Sequence, residues 1–284
     1  MVGRIERAAV PGRFRQWMHF LTPSDAHRGL GLLCLGVGHQ EGRLPTVGPR
    51  TLHKHVAVVV TEGEGWFRQG GEPVTEVVAP AVLWLFPGVE HHYAPHGQGW
   101  TEWFVDFTGS AVAAYQELGF LDPARPVIPL TAADAAVHAI GRIAQACRRG
   151  GPYLEVETSA IVHEVLVALR QARADEDPAG EPVLQSLARD ACLPVSVAEH
   201  ARRLGMPVAD LRAVVRRLTG SSPKDYLVSV RLNRAKDLLA GSRLPVAAIA
   251  RRVGYHDPAY FTRIFTRRVG LPPSEFRAQE SRLA

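Results

Sequence analysis

VGYHDPAYFTRIFTRRVG, residues 253–270, decides how the C-terminal part of this chain is read. Asp257 followed by Pro258 predicts a helix start, because the carboxylate can accept free backbone N–H groups and proline fits the first helical position. Gly270 marks the expected stop. Between them Phe261, Ile264, Phe265 and Val269 form an apolar stripe at helical spacing, and Thr262, Arg263, Thr266 and Arg267 occupy the other face. Upstream, Val246, Ile249, Ala250 and Val253 predict a shorter helix ending at Gly254. A short helix, a glycine turn and a second helix with a small, basic, hydroxyl-bearing face make a helix-turn-helix pattern, whose second helix enters the major groove.

The same unit occurs earlier, in VSVAEHARRLGMPVADLRAVVRRLTGSSPKDYL, residues 195–227. Val197 matches Val246, Ala201 matches Ala250 and Gly205 matches Gly254. Past the turn the later copy has one extra residue; then Leu211 matches Phe261, Val215 matches Phe265 and Gly220 matches Gly270. A repeat carried by core positions and both glycines implies two units on one plan, about 195–220 and about 244–270. Between them PKDYLVSVRLNRAKDLLAG reads as one helix over 223–240, long enough to hold two recognition helices in successive major-groove turns.

Charge divides the chain in the same way. Residues 181–284 hold 18 Lys+Arg against 9 Asp+Glu, and residues 1–180 hold 15 against 19. The +9 half is the half with the repeat, as phosphate binding requires. Three scattered cysteines, Cys34, Cys147 and Cys192, exclude a disulfide framework and fit a reducing cytoplasm. No apolar run is long enough to span a membrane, and the first residues have no signal-peptide pattern.

The first half reads as β structure. GLLCLGVGHQ, HVAVVVTEG, GWFRQGG, AVLWLFPG and GWTEWFVDF are short segments rich in Val, Leu, Phe and Trp, bounded by Gly and Pro, and suggest a barrel or jelly roll. Two amphipathic helices follow, in 131–150 and 153–173, and the charged stretch 173–182 reads as a linker. All five tryptophans lie in this half; Trp66 and Trp84, in predicted strands, are candidates for stacking on a ligand, with Arg50 and His91 as polar anchors.

The combination ARRLG (201–205), TGSSPKDYL (219–227), RLNRAKDLL (231–239), IARRVGY (249–255), DPAYFTRIF (257–265) and GLPPSEFR (270–277) resembles the AraC/XylS family of transcription regulators. In the first half, Glu62–Gly63, Gly65, Phe67, Leu85 to Gly88 and His91 resemble the cupin-like effector domain of that family. The resemblance implies a two-domain α+β chain. Residues 1–172 would form a cupin-like barrel with two dimerising helices that binds a small effector. Residues 183–284 would be an all-α double helix-turn-helix on bent DNA. Three residues depart from the family pattern in the first unit: Pro207 at a capping position, Ala213 where arginine is common and Val215 where an aromatic is common.

Within this frame Arg263, Thr262 and Thr266 are the expected base contacts of the second unit, and Arg212 and Arg216 those of the first. Arg217, His256 and Arg267 are expected on phosphates. No cofactor is expected. A cupin metal would need ligands where Arg50, Leu52 and Val56 or Ala57 stand, so His53 and His55 fall out of register. Expected partners are double-stranded DNA, a sugar-like effector, a second copy of the chain and RNA polymerase, with no membrane. Two rivals remain: a ligand-independent regulator whose first domain only dimerises, and a DNA-tethered cupin isomerase or dioxygenase.

Overall fold

The structure, a computed structural model, describes residues 14–174 and 180–280. The chain divides into two compact units, residues 1–176 and 177–284.

The first unit is built on an eight-stranded antiparallel sheet. Its strands are β1 (Phe14–Phe20), β2 (Leu33–Gly42), β3 (Val47–Arg50), β4 (His55–Gln69), β5 (Thr75–Val78), β6 (Ala81–Leu85), β7 (His91–Thr108) and β8 (Val127–Pro129). The path runs β1-β2-β7-β4-β6-β8, with β3 paired to β7 and β5 to β4. The sheet is buried on both faces, which explains the uninterrupted run VAVVV in β4. Val56, Val58 and Val60 join Phe67, Leu83, Leu85, Tyr93 and Trp100 in an inner core. Ala57 and Val59 join Val82, Trp84, Val105 and Phe107 on the opposite face. That face is covered by α2 (Asp134–Arg149) and α3 (Leu154–Gln171), after a short α1 (Val112–Glu117).

One expected pair of short strands is in fact a single long one, and one expected strand is only part of a longer one. HVAVVVTEG and GWFRQGG form β4, and GWTEWFVDF is the later half of β7. Gly63 lies between two irregularities inside β4, paired with Trp100. The β4–β7 register shifts between Val60 and Glu62 and again between Gly63 and Gly65. Gly63 has φ +89°, and a Cβ there would lie 2.4 Å from the Gly99 carbonyl oxygen. Only glycine lets the two strands approach so closely while the sheet bends.

The second unit is all helical: α4 (Gly180–Arg189), α5 (Val197–Arg203), α6 (Val208–Thr219), α7 (Pro223–Gly241), α8 (Val246–Arg252), α9 (Pro258–Val269) and α10 (Pro273–Glu280). Ser196 caps α5 through the Glu199 N–H at 3.1 Å, and Ser222 caps α7 through the Asp225 N–H at 3.1 Å. Asp257 caps α9 through the Ala259 N–H at 2.8 Å. Pro207, where α6 begins, offers no side-chain cap. Gly220 and Gly270 end the two recognition helices with φ of 68° and 94°.

α7 serves two cores. Leu227 packs with Leu187, Ala201, Leu211 and Val215, whereas Val228, Leu232, Ala235 and Leu239 pack with Ile249, Val253, Phe261 and Phe265. Arg231 donates to the carbonyls of Ala191 and Leu193 at 2.5 and 2.9 Å, and Arg234 to that of Ala188 at 2.7 Å. These bonds tie α7 to the end of α4 and the loop after it.

Of the stretch expected as a linker, residues 175–179 lie outside the described residues. Arg173 still bridges to Leu130, and the Ala174 N–H donates to the Pro129 carbonyl at 2.9 Å. Gly180 already opens α4. Gly-Glu-Pro there is the first turn of a helix, where proline is tolerated.

Candidate nucleic-acid interface and effector cavity

On α9, Phe261 and Phe265 are buried, Ala259, Arg263 and Arg267 are exposed, and Thr262 and Thr266 are half-buried. The Thr262 hydroxyl donates to the Pro258 carbonyl at 2.9 Å, and that of Thr266 to the Thr262 carbonyl at 2.8 Å. With each hydroxyl proton used inside the helix, the threonines offer outward a methyl group and an acceptor lone pair. That suits a thymine methyl or a base amino group.

Arginines around this face fall into two groups. Arg268 is ion-paired with Asp225 at the start of α7. Arg202 and Arg203 are paired with Glu199 at 2.7 and 3.4 Å, which holds the Glu199 carboxyl below the usual range. Arg217 is also engaged by an interaction of its own. By contrast Arg212 and Arg216 on α6, Arg263 and Arg267 on α9, and Arg251 and Arg252 at the end of α8 are exposed and make no pair among the described residues. His256 is exposed in the turn before α9. The unpaired cations are therefore concentrated on the two second helices and the end of α8, while the first helix of the first unit spends its arginines internally.

The first unit encloses a cavity of about 250 Å³ on the inner side of the sheet. Its polar lining is Arg50, Lys54, Glu102, Asp106 and Tyr93; Phe20, Phe104, Val56 and Val58 supply apolar surface. Lys54 is ion-paired with Asp106. Glu102 is 1% exposed and accepts the Trp100 indole N–H at 2.9 Å. Burial pushes its carboxyl up to about 7, against the pull of the Trp100 N–H and of Arg50. Burial also raises Asp106, and Lys54 opposes it.

Of the four residues expected at an effector, Arg50 lines the cavity. His91 is buried behind it; its Nε2 accepts the Arg50 Nε–H at 3.1 Å, and its Nδ1 lies 3.3 Å from the Val89 carbonyl. Burial lowers the His91 pKa, in keeping with a neutral ring that orients the guanidinium. Trp84 and Trp66 do not line the cavity. Leu83 and Leu85 face the inner core, so Trp84 turns to the helix-covered face. Phe67 likewise points inward and leaves Trp66 on the outer surface, with its ring 4.7 Å from that of His92.

Lys54, Glu102 and Asp106 were not singled out from the sequence, although a signal was there. Lys54, just ahead of β4, continues the parity of Val56 and Val58, and Glu102, Phe104 and Asp106 share one parity within β7. Charges at period two in or beside strands mark a polar interior. The histidines flanking Lys54 take the other parity: His53 is exposed and His55 stacks on Phe107 at 5.5 Å. No group of three or more His, Cys, Asp or Glu suited to a metal occurs among the described residues, and none of their helices is long and apolar enough to cross a membrane.

Two family models match the chain: an AraC-like ligand binding domain over residues 37–176 and a helix-turn-helix domain over residues 200–279. The arabinose operon regulatory protein of Salmonella typhimurium is 28% identical over 251 residues, covering 81% of this chain and 85% of its own. That of Escherichia coli is 26% identical, covering 81% and 82%. The lactose operon transcription activator of Staphylococcus xylosus is 23% identical over 247 residues, covering 82% and 88%.

Proposed function

Since the chain belongs to the AraC family of transcriptional regulators, we propose that a small, hydroxyl-rich effector in the Arg50–Asp106 cavity gates its binding to DNA. The observation that carries this reading is the division of labour between the units. One encloses a cavity with both hydrogen-bond donors and acceptors, and the other exposes unpaired arginines on two recognition helices.

The cavity, about 250 Å³, suits a small ligand such as a monosaccharide or a related metabolite. Arg50, Lys54 and Tyr93 can donate to hydroxyls, Glu102 and Asp106 can accept, and Phe20 and Phe104 can cover an apolar ring face. The relatives that regulate arabinose and lactose operons support a sugar-like effector.

On the DNA, Arg263 reads a base edge with the methyl groups of Thr262 and Thr266 beside it, and Arg212 and Arg216 do the same for the first unit. Arg217, Arg267 and His256 meet phosphates. The chain works as a homodimer through α3, where Tyr153 just ahead of the helix and Val156, Ala160 and Val167 on it are apolar and exposed around Glu164. It acts in the cytoplasm as a regulator, not an enzyme, and meets RNA polymerase at its promoters.

A thermal-shift screen of the full chain against pentoses, hexoses and their acids tests the gating. A ligand at a hundred times its Kd should stabilise the protein by about 2.7 kcal/mol. A hit abolished by Arg50→Ala supports the cavity. Stabilisation by none of these compounds would leave the dimerisation-only reading of the first unit in place.

A further inference from the structure

The second unit contains a cleft of about 360 Å³ at the junction of its two helix-turn-helix halves. Lys224 and Arg231 of α7 form its floor. Ser196, ahead of α5, stands on one side, and Tyr255, His256 and Tyr260 stand on the other.

Three features distinguish this cleft. Every ionisable acid–base side chain along it is basic or a tyrosine, and no Asp or Glu lines it. The nearby carboxylates are already engaged: Asp225 with Ser222 and Arg268, and Asp257 with the Ala259 N–H. Arg231 is likewise committed, to the Ala191 and Leu193 carbonyls, and stacks 5.4 Å from the Tyr255 ring. Lys224 and His256 are exposed and make no pair among the described residues. The cleft thus has an ordered floor and two exposed basic side chains with no ion pair among the described residues, Lys224 lying close enough to Asp225 to help Ser222 and Arg268 hold that carboxyl below its usual range.

Its position relates it to the DNA-reading face. Tyr260 lies one helical turn before Arg263, so one wall of the cleft continues into the outer face of α9. The 19 residues of α7 span about 28 Å, close to the roughly 34 Å between successive major-groove turns. Backbone running from one groove to the next must cross the junction between the halves.

We propose that this cleft seats a phosphate of the DNA backbone between the two recognition helices, with Lys224 as its main cation and His256 and Tyr260 at its rim. The contact carries no sequence information. It fixes the spacing at which the two helices read bases. The inference rests on the DNA-binding function of this unit. A free phosphorylated metabolite would share the chemistry, but the continuity of the wall with α9 favours DNA.

The test uses the full chain and a random-sequence duplex of about three helical turns, with affinity measured by anisotropy across a salt series. Each phosphate contact contributes about 0.9 to the slope of log affinity against log salt. Lys224→Gln should lower the slope by about that amount and weaken binding about fivefold at 0.15 M salt. Lys236→Gln, a change to a lysine of α7 that does not line the cleft, should leave both unchanged. A duplex selected from the same library then receives single neutral methylphosphonates across its centre. One such position should weaken the wild type and leave Lys224→Gln unaffected.

If Lys224→Gln and Lys236→Gln behave alike, or no central position shows this loss, the phosphate seat is wrong. Stabilisation by inorganic phosphate with an unchanged salt slope would assign the cleft to a free anion and overturn the DNA contact. Failure of the wild type to bind any duplex would instead remove the DNA-binding reading itself. Melting temperatures of both variants equal to wild type keep folding out of the comparison.

Discussion

Replacing Glu102 by glutamine tests the energetics of the effector cavity. In the unfolded chain this carboxyl titrates near 4.5, and in the folded protein burial raises it to about 7. Below the lower value both states are protonated and the stability is fully present. As pH rises between the two values, the unfolded chain ionises first and folding stability falls. Above the upper value the whole penalty applies, about 3 kcal/mol by linkage.

Glutamine stays neutral and keeps an oxygen for the Trp100 N–H, so Glu102→Gln should match the wild type near pH 4 and exceed it in stability by up to about 3 kcal/mol near pH 8. His39, His55 and His91, whose pKa values burial lowers, give both proteins the opposite slope, and this cancels in the difference. Urea melts of the two ligand-free proteins at matched concentration across this range measure it. A stability difference independent of pH would refute the claim that Glu102 is buried at the cost of its charge.

Arg263→Ala should cost roughly 1–3 kcal/mol on a selected operator and relax preference at one base pair, whereas Arg267→Ala should weaken all sequences alike; competition binding against single-base variants separates the two. Gly254→Ala should destabilise the second unit by roughly 2–4 kcal/mol, because φ is +88° and the new Cβ would lie 2.5 Å from the Cys192 carbonyl oxygen. The matching Gly205→Ala, with φ +68° and open space around it, should cost about 1–2 kcal/mol in the same denaturation assay. Val156→Glu, on the exposed stripe of α3, should turn a dimer into a monomer in sedimentation without changing the melting of the monomer; an unchanged mass would place the dimer contact elsewhere.

The helical unit was legible almost residue by residue, because its signals are local. A cap acts within one turn, a terminal glycine within two residues, and an apolar stripe along one helix. The Asp257 cap, the Pro258 ring and the left-handed backbone of Gly270 bound α9, and the repeat located α6 through its apolar stripe and Gly220. Two short helices with weaker marks, α4 and α10, were not read, since each begins in a Pro- or Gly-bearing stretch that resembles a loop.

What the chain alone determined was therefore class and order: β structure, then two helices, then two copies of a DNA-reading unit in the basic half. Only the tertiary structure decided which side chains meet. Strand parity puts Lys54, Glu102 and Asp106 into the cavity and turns Trp84 away. Ion pairs occupy Arg202, Arg203 and Arg268 and leave Arg212, Arg216, Arg263 and Arg267 without a pair among the described residues. The physical reason is range. Helix signals are written in neighbouring residues, whereas a cavity wall or an ion pair depends on which distant strands or helices pack together and in which register.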